Sequence, residues 1–540
     1  MKSSFTQRRK VGKGAKAALY FLCAFASFFA PLRESAQTPL TPQESRGKEI
    51  YQLGTSKSGK DILAYIGDSS LEVPGSSMTC ANCHGMSGQG KSEGGIDPSN
   101  ITWEALTKPY GVTHASGRKH PAYTARGLEF AITRGVDPAG NKLLSAMPRY
   151  QMSKQDLADL IVYLKRLGTD LDPGIGENKI SIGTTLPASG PLAEMGQVVK
   201  DVINAYFAEV NSQGGIYNRR LELKVSETGN TAAATRANLE HLINDEKVFA
   251  MTSVFLAGSE SELAPVFAHL EVPLVGPMTL NPQPGMPVNR EIFYLLSGNS
   301  GQAGALVSFL KQRGELKNGG LAVMYRAGEL SASVREGILK QCERESMRPP
   351  AVYEYKTGDF DADEYVKQMR RNEPSAVFFT GSLPDTLAFM NAAAKVDWYP
   401  QILLQGGGVA SGIFDAPAGF EGKIFFTVPN SPFDQTPEGV MEFKAFMEKY
   451  KLPLKLLAAQ AAAYSSAKVL VEALKRVGKE LSREKLIQTL EGLYEFPTGL
   501  TPPLTYGPNR RIGALGAYVV MVNLKEKNFK PVSGWVGIEK

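Results

Sequence analysis

Cys80-Ala81-Asn82-Cys83-His84 decides how the N-terminal third of this 540-residue chain is read. The spacing is that of covalent attachment of a c-type haem: two thiols add across the two vinyl groups of the porphyrin, and the adjacent imidazole reaches the iron from one face. Two other chemistries use the same letters. With His114-x5-His120 the pair makes a zinc set, although the 30 residues between Cys83 and His114 are long for a finger. A thioredoxin-type dithiol fits less well, because the pair does not open a helix after a strand. The other cysteines, Cys23 and Cys342, stand alone, so four cysteines make no disulfide framework.

Working outward, the second face of the iron needs a ligand from a distant loop. Met147, in Ala146-Met147-Pro148-Arg149-Tyr150, stands 63 residues beyond His84, and Pro148 stiffens that loop. Met86 is too close to His84 to cross the ring, whereas Met152, His114 and His120 remain open alternatives. A helix follows at once. Ser153 is its expected N-cap, Asp156 sits three residues later, Leu157, Leu160, Ile161 and Leu164 form one apolar face, and Gly168 ends it.

Cys80–His84, the Met147-Pro148-x-Tyr150 loop and the helix Ser153–Leu167 together resemble a class I cytochrome c domain, over roughly residues 45–168. The resemblance implies one covalent haem c held by Cys80 and Cys83, with His84 and Met147 as axial ligands. A His/Met pair leaves no open iron position, which favours electron transfer and a raised potential. One departure stands out: Gly54–Thr79 is an insertion, expected to form a hairpin over the haem edge.

From Lys179 the texture changes. Apolar strand patterns (Ile180, Ile182; Leu221, Leu223, Val225; Leu321–Tyr325; Ala376–Thr380; Ile402–Gln405; Ile424–Val428) alternate with helical ones, such as Val198, Val199, Val202, Ile203, Tyr206 and Val210 and the stretch Ala458–Val477. That alternation predicts doubly wound parallel sheets, and about 360 residues require two lobes.

Several motifs in this half resemble the leucine/isoleucine/valine-binding-protein family of extracytoplasmic receptors. They are Ile182-Gly183-x4-Ala188-Ser189-Gly190-Pro191, Glu209–Ile216, Val272-Pro273-Leu274-Val275, Tyr464 in its alanine-rich helix, and Thr498-Gly499-Leu500. The resemblance implies two lobes joined by crossovers near Tyr294–Asn299, Thr427–Ser431 and Leu500–Arg511, with a ligand cleft between them. It also implies ligand contacts at Gly258 and Ser259, at Met278 and Thr279, and at Ser382 and Gly407. Ser382 stands near one of the family's ligand tyrosines and Gly407 near its ammonium-binding acid. A zwitterion would lack its counter-charge there, so the expected solute is a small organic molecule without a free α-ammonium.

The fold class is therefore multidomain: a small all-α cytochrome c domain followed by a two-lobed α/β periplasmic-binding-protein fold with doubly wound parallel sheets. The expected divisions are residues 1–36, a signal peptide or N-terminal anchor; 37–46, a linker; 47–168, the cytochrome; 169–178, a linker; and 179–540, the binding domain. Within the last, one lobe takes about 179–296 and 430–505, the other about 297–429 and 506–540.

Charge narrows the function. Seven of the 60 basic residues and one of the 54 acidic ones fall within residues 1–36, ahead of and around the apolar run Ala17–Leu32. The rest carries 53 of each and has no bulk attraction for nucleic acid. The leader reads as an export signal, which places the protein in the periplasm, with an uncleaved anchor as the alternative. Three functions compete. The first is one-electron transfer joined to solute recognition, the second a receptor for an ATP-driven membrane permease with an accessory haem, and the third a redox enzyme subunit. No G-x-G-x-x-G opens a helix, no P-loop is present, and His241 and His269 have no nucleophile beside them in sequence, which argues against the third. Lys108–Lys154 carries eight basic residues against Glu129 and Asp137, so the expected redox partner is acidic at its docking face.

Overall fold

A computed structural model describes residues 40–538, apart from 59, 68–70, 91–95, 115, 284–287, 315, 317–319, 407, 408, 410, 431–435 and 480. The expected leader, 1–36, and Gly407 lie outside the described residues.

The first domain is a set of short helices with a small sheet at one side. Thr41 caps the helix Pro42–Leu53 in a full capping box with Glu44. The closing helix, Lys154–Arg166, is capped by Ser153, whose hydroxyl accepts from the Asp156 amide at 3.1 Å. Asp156 does not return to the cap's own N–H; its carboxylate takes the hydroxyls of Ser153 (2.6 Å) and Ser58 (3.1 Å) instead. Leu157, Leu160, Ile161 and Leu164 are buried as the spacing predicts, and they meet Ile50, Tyr51, Leu128 and Ile132 in one core. Each such leucine contributes about 1.5–3 kcal/mol by leaving water. The two helices pack where Gly47 faces the backbone at Asp159, a place no side chain could occupy.

The insertion does form a hairpin, Leu63–Ile66 with Leu71–Pro74. It pairs further: Leu63, Ala64 and Tyr65 run antiparallel to Arg149–Gln151, the strand directly after Met147. The inserted residues thus brace the methionine loop.

The binding half has two sheets. Among the described residues the first runs Ile512–Ala514, Ile292–Leu296, Leu274–Val275, Ala250–Thr252, Lys179–Leu186 and Arg220–Glu227, and its pairings are parallel. The second has Ala351–Tyr355, Leu321–Arg326, Ala376–Thr380, Gln401–Leu404 and Ile424–Val428 in parallel, then Gly516–Asn523 and Asn528–Pro531 antiparallel at its end. Helices cover both faces, so strand residues such as Ile180, Ile182, Val323 and Phe378 are fully buried. The long alanine-rich helix spans Leu457–Val477 and packs on the first lobe through Tyr464, Leu470 and Leu474.

The chain leaves the first lobe after Leu296 and returns between Val428 and Pro437, close to the expected crossings. The third crossing falls later than Leu500–Arg511. Ile512–Ala514 still pairs with the first sheet, and Gly516, at a φ of 155° that favours glycine, begins the strand of the second.

Candidate functional site

Cys80 and Cys83 sit on one short helix, Cys80–His84, started by the Thr79 hydroxyl, which accepts from the Asn82 amide at 3.2 Å. Both cysteines are half-buried, and neither is in a disulfide. The His84 ring lies with Nδ1 2.9 Å from the carbonyl oxygen of Ser99. A carbonyl can only accept, so Nδ1 carries the proton and Nε2 keeps its lone pair for a metal. Burial pushes the imidazole below its ordinary value, with the Ser99 carbonyl opposing, and both conditions suit a neutral ligand. This donor set fits a haem c: two neighbouring thiols, and a half-buried imidazole fixed in the tautomer that offers Nε2.

Met147 lies half-buried in a turn, its N–H donating to the Leu144 carbonyl at 3.1 Å. The Arg149 guanidinium clamps this loop by donating to the carbonyls of Met147 and Leu143, the latter at 3.1 Å. Gly135, at φ 66°, leaves the room that guanidinium occupies; a Cβ there would meet Arg149 Nε at 1.8 Å. On the far side the Tyr150 hydroxyl donates to the Met78 carbonyl at 2.7 Å, tying the loop to the approach to Cys80. Sequence reasoning quoted Arg149 in the methionine loop but missed its role, and passed over Gly135, because their contact spans 14 positions.

The alternative ligands are engaged elsewhere. His114 and His120 face each other with Nε2 atoms 3.0 Å apart; Arg118 donates to His114, and His120 Nδ1 lies 2.8 Å from the Pro121 carbonyl. Met152 packs against the domain core. Among the described residues no group of three or more His, Cys, Asp or Glu side chains is placed to hold a metal ion, so the zinc set of Cys80, Cys83, His114 and His120 is not assembled.

The second site follows from topology. Lys179–Leu186 has Arg220–Glu227 on one side and Ala250–Thr252 on the other, so the order of strand addition reverses there and opens a crevice at the carboxyl ends of these parallel strands. A pocket of about 410 Å³ lies there, lined by the loops 228–231 and 255–259. Gly258 and Ser259 are both in its wall. Ser259 begins the helix Glu260–Leu270 without its hydroxyl capping that helix, and the buried Thr228 hydroxyl has no protein partner.

Met278 is drawn to the same loop. Leu256 N–H donates to its carbonyl at 3.0 Å, and its own N–H donates to the Val254 carbonyl at 2.8 Å. Glu260, which sequence reasoning passed over, joins the two predicted strips. Its carboxylate accepts from the Gly258 amide at 2.9 Å and from the Thr279 hydroxyl at 2.5 Å. Ser382 caps the helix Leu383–Lys395, its hydroxyl accepting from the Asp385 amide at 3.2 Å.

The two sites are held together. Asp172 accepts from the Arg483 amide at 2.6 Å, while the Arg483 guanidinium donates to the carbonyls of Val248 and Phe249 in the first lobe. Gly85, Met86 and Ser87, immediately after the haem motif, share a pocket with Arg290, Arg483 and Glu484 of that lobe.

The sequence model described as periplasmic binding protein matches residues 179–528, and that described as cytochrome c matches residues 76–168. Solved structures agree on the fold of the larger part. A branched-chain amino acid ABC transporter protein of Thermus thermophilus, solved with bound valine, is 16% identical with a TM-score of 0.51, over 67% of this chain and 97% of that one. A type 1 periplasmic binding protein of Bordetella pertussis Tohama I is 15% identical with a TM-score of 0.51, over 66% and 100%. A fatty acid ABC transporter substrate-binding protein of Thermomonospora curvata is 18% identical with a TM-score of 0.50, over 68% and 94%. The chain belongs to the periplasmic binding protein family and carries a cytochrome c domain ahead of its two lobes.

Proposed function

We propose that this protein is a periplasmic one-electron carrier fused to a receptor for a small organic solute. Cys80 and Cys83 would hold one haem c covalently and His84 and Met147 would ligate its iron, and the group so held would supply reversible one-electron chemistry. The observation that carries this reading is the His84 ring, held by Ser99 with Nε2 free, on the same helical turn as both thiols. The chain's own residues orient and shield. Ser99 sets the imidazole tautomer, Arg149 and the Leu63–Pro74 hairpin hold the methionine loop, and Tyr51 fixes the exit from the motif by donating to the Gly85 carbonyl at 2.6 Å.

In the binding half, Gly258, Ser259, Met278 and Thr279 form the first-lobe wall of the cleft, and the solute lacks a free α-ammonium. Ser382, which stands where the resemblance places a ligand tyrosine, offers no counter-charge to an ammonium group. No helix among the described residues is long and apolar enough to cross a membrane. The redox partner docks on the basic stretch Lys108–Lys154 with an acidic face. The structural neighbours that are ABC transporter proteins favour a second reading, a receptor delivering solute to a membrane permease; co-purification of a permease with the solute-loaded protein supports it.

The test is the visible and near-infrared spectrum. Met147→Ala should abolish the sulfur-to-iron band of the oxidised protein while the thioether-linked haem survives denaturation. Persistence of that band removes Met147 as ligand. Calorimetry against branched-chain amino acids should show no binding, and a sub-micromolar response to leucine overturns the solute assignment.

A further inference from the structure

Gly258 and Thr279 come from different loops, yet their donors converge on one carboxylate, one donor to each oxygen. The Gly258 N–H reaches Oε2 of Glu260 at 2.9 Å and the Thr279 hydroxyl reaches Oε1 at 2.5 Å. The pair is prebuilt. Thr279 Oγ1 accepts from the Asn281 amide at 2.8 Å, so its proton is left to point at Glu260. The two loops are locked side by side by the bridge between Phe255 and Met278 and its flanking backbone hydrogen bonds. Gly258 lies in the crevice wall, and two such donors side by side are an arrangement that can receive a carboxylate. Here the carboxylate is the chain's own, and Glu260 is only 3% exposed. It sits in the first turn of the eleven-residue helix Glu260–Leu270, where the helix dipole also favours a negative charge.

We infer that Glu260 is a resident anion that closes the carboxylate-receiving end of the cleft, so that the cleft takes a solute without a carboxylate. The inference rests on the reading of this crevice as the solute site. A solute carboxylate would have to displace Glu260 or lie beside it, and like charges at such range resist joint ionisation. Nothing lining the pocket offsets them: its charged residue is Glu262, a second acid, and no Lys or Arg is among its lining residues. A carboxylate has about four acceptor sites, and protein donors reach Glu260 at each of its oxygens with lone pairs left over. The wall therefore favours hydroxyl, amide or cationic groups. Glu260 acts as a specificity-determining residue from behind the wall, by occupying the amide of Gly258, which lines the pocket.

The experiment titrates the full-length, reduced, isotope-labelled protein with acetate and follows the Gly258 amide resonance, with acetamide as the uncharged control. Wild type should show no saturable acetate shift. Glu260→Ala should bind acetate at Gly258 at least tenfold more tightly than wild type. Glu260→Gln, which keeps the side-chain shape, should change in the same direction and decides the matter if the alanine variant does not fold; an unchanged haem spectrum checks integrity. Saturation in wild type, or silence in both folded variants, overturns the inference. Solute binding by the wild-type cleft is read separately by calorimetry, so failure of the receptor reading and failure of the Glu260 assignment appear in different measurements.

Discussion

Asp170 and Asp172 stand two positions apart in the chain and are held by opposite halves of the molecule. Asp170 accepts from Lys48 at 2.6 Å and from the Tyr163 hydroxyl at 3.1 Å, both in the cytochrome. Asp172 accepts from the Arg483 amide of the first lobe at 2.6 Å. Ile175 is buried in that lobe's core. The segment expected as a linker is therefore a clamp. Burial raises the Asp172 carboxyl above its ordinary value, with the Arg483 amide and guanidinium opposing.

Breaking the clamp should uncouple the domains. Asp172→Ala leaves the Arg483 amide without its acceptor, a loss of about 1–3 kcal/mol. Together with Asp170→Ala it should make residues 169–178 several-fold more susceptible to limited proteolysis. It should also split one calorimetric transition into two. Unchanged cleavage and a single transition would show that the junction does not depend on this pair.

Gly135 governs the methionine loop from a distance. Gly135→Ala forces a Cβ onto the Arg149 guanidinium at a left-handed φ. Strain of this kind costs about 1–3 kcal/mol. The expected result is a lower melting temperature together with a weakened sulfur-to-iron band, because the displaced arginine releases the Met147 carbonyl. A variant that loses stability but keeps the full band would assign Gly135 to folding alone.

Asp137 supplies a pH signature. Burial disfavours its charge, but hydrogen bonds from Asn141 and Arg118 outweigh that and hold its carboxyl below the ordinary 3.8. A lowered value means stability present above about pH 4 and lost as pH falls further. Asp137→Asn should therefore melt below wild type at pH 7, and the gap should close below pH 4. A gap constant with pH would remove the carboxylate's charge from the account.

The same ion pair, Arg118 to Asp137 at 2.6 Å, takes Arg118 out of the basic rim. Lys119, Arg126 and Lys142 remain exposed. Reversing these three should slow reduction by an acidic partner several-fold at low salt. The effect should fade as the Debye length shrinks to about 8 Å at physiological ionic strength. Stopped-flow rates indifferent to salt would leave the rim without a docking role.

Local signals carried most of what sequence reading found. The haem motif, the capped helix after Met147 and the buried strands Ala376–Thr380 and Ile424–Val428 are each written within a few residues. What escaped is non-local. The pairing of Leu63–Tyr65 with Arg149–Gln151, the seat of Arg149 against Gly135, and the last crossing beyond Ala514 depend on contacts whose partners share no periodicity. Glu260 was hidden for another reason. An acid in a helix's first turn is ordinary on a solvated surface, and only tertiary structure turns it onto Gly258 and Thr279.

The clamp at Asp170 and Asp172 also makes the molecule its own ruler. A haem absorbs across the emission range of common fluorophores and quenches them with a steep dependence on distance. Fixed to the first lobe, it is a stationary beacon against which the second lobe can be ranged. If the proposed solute draws the lobes together, a dye on an exposed position of the helix Ala362–Arg370 would dim or brighten. A dye on the helix Ala232–Asn244 would keep constant intensity, so the pair would report solute occupancy without any change in the iron.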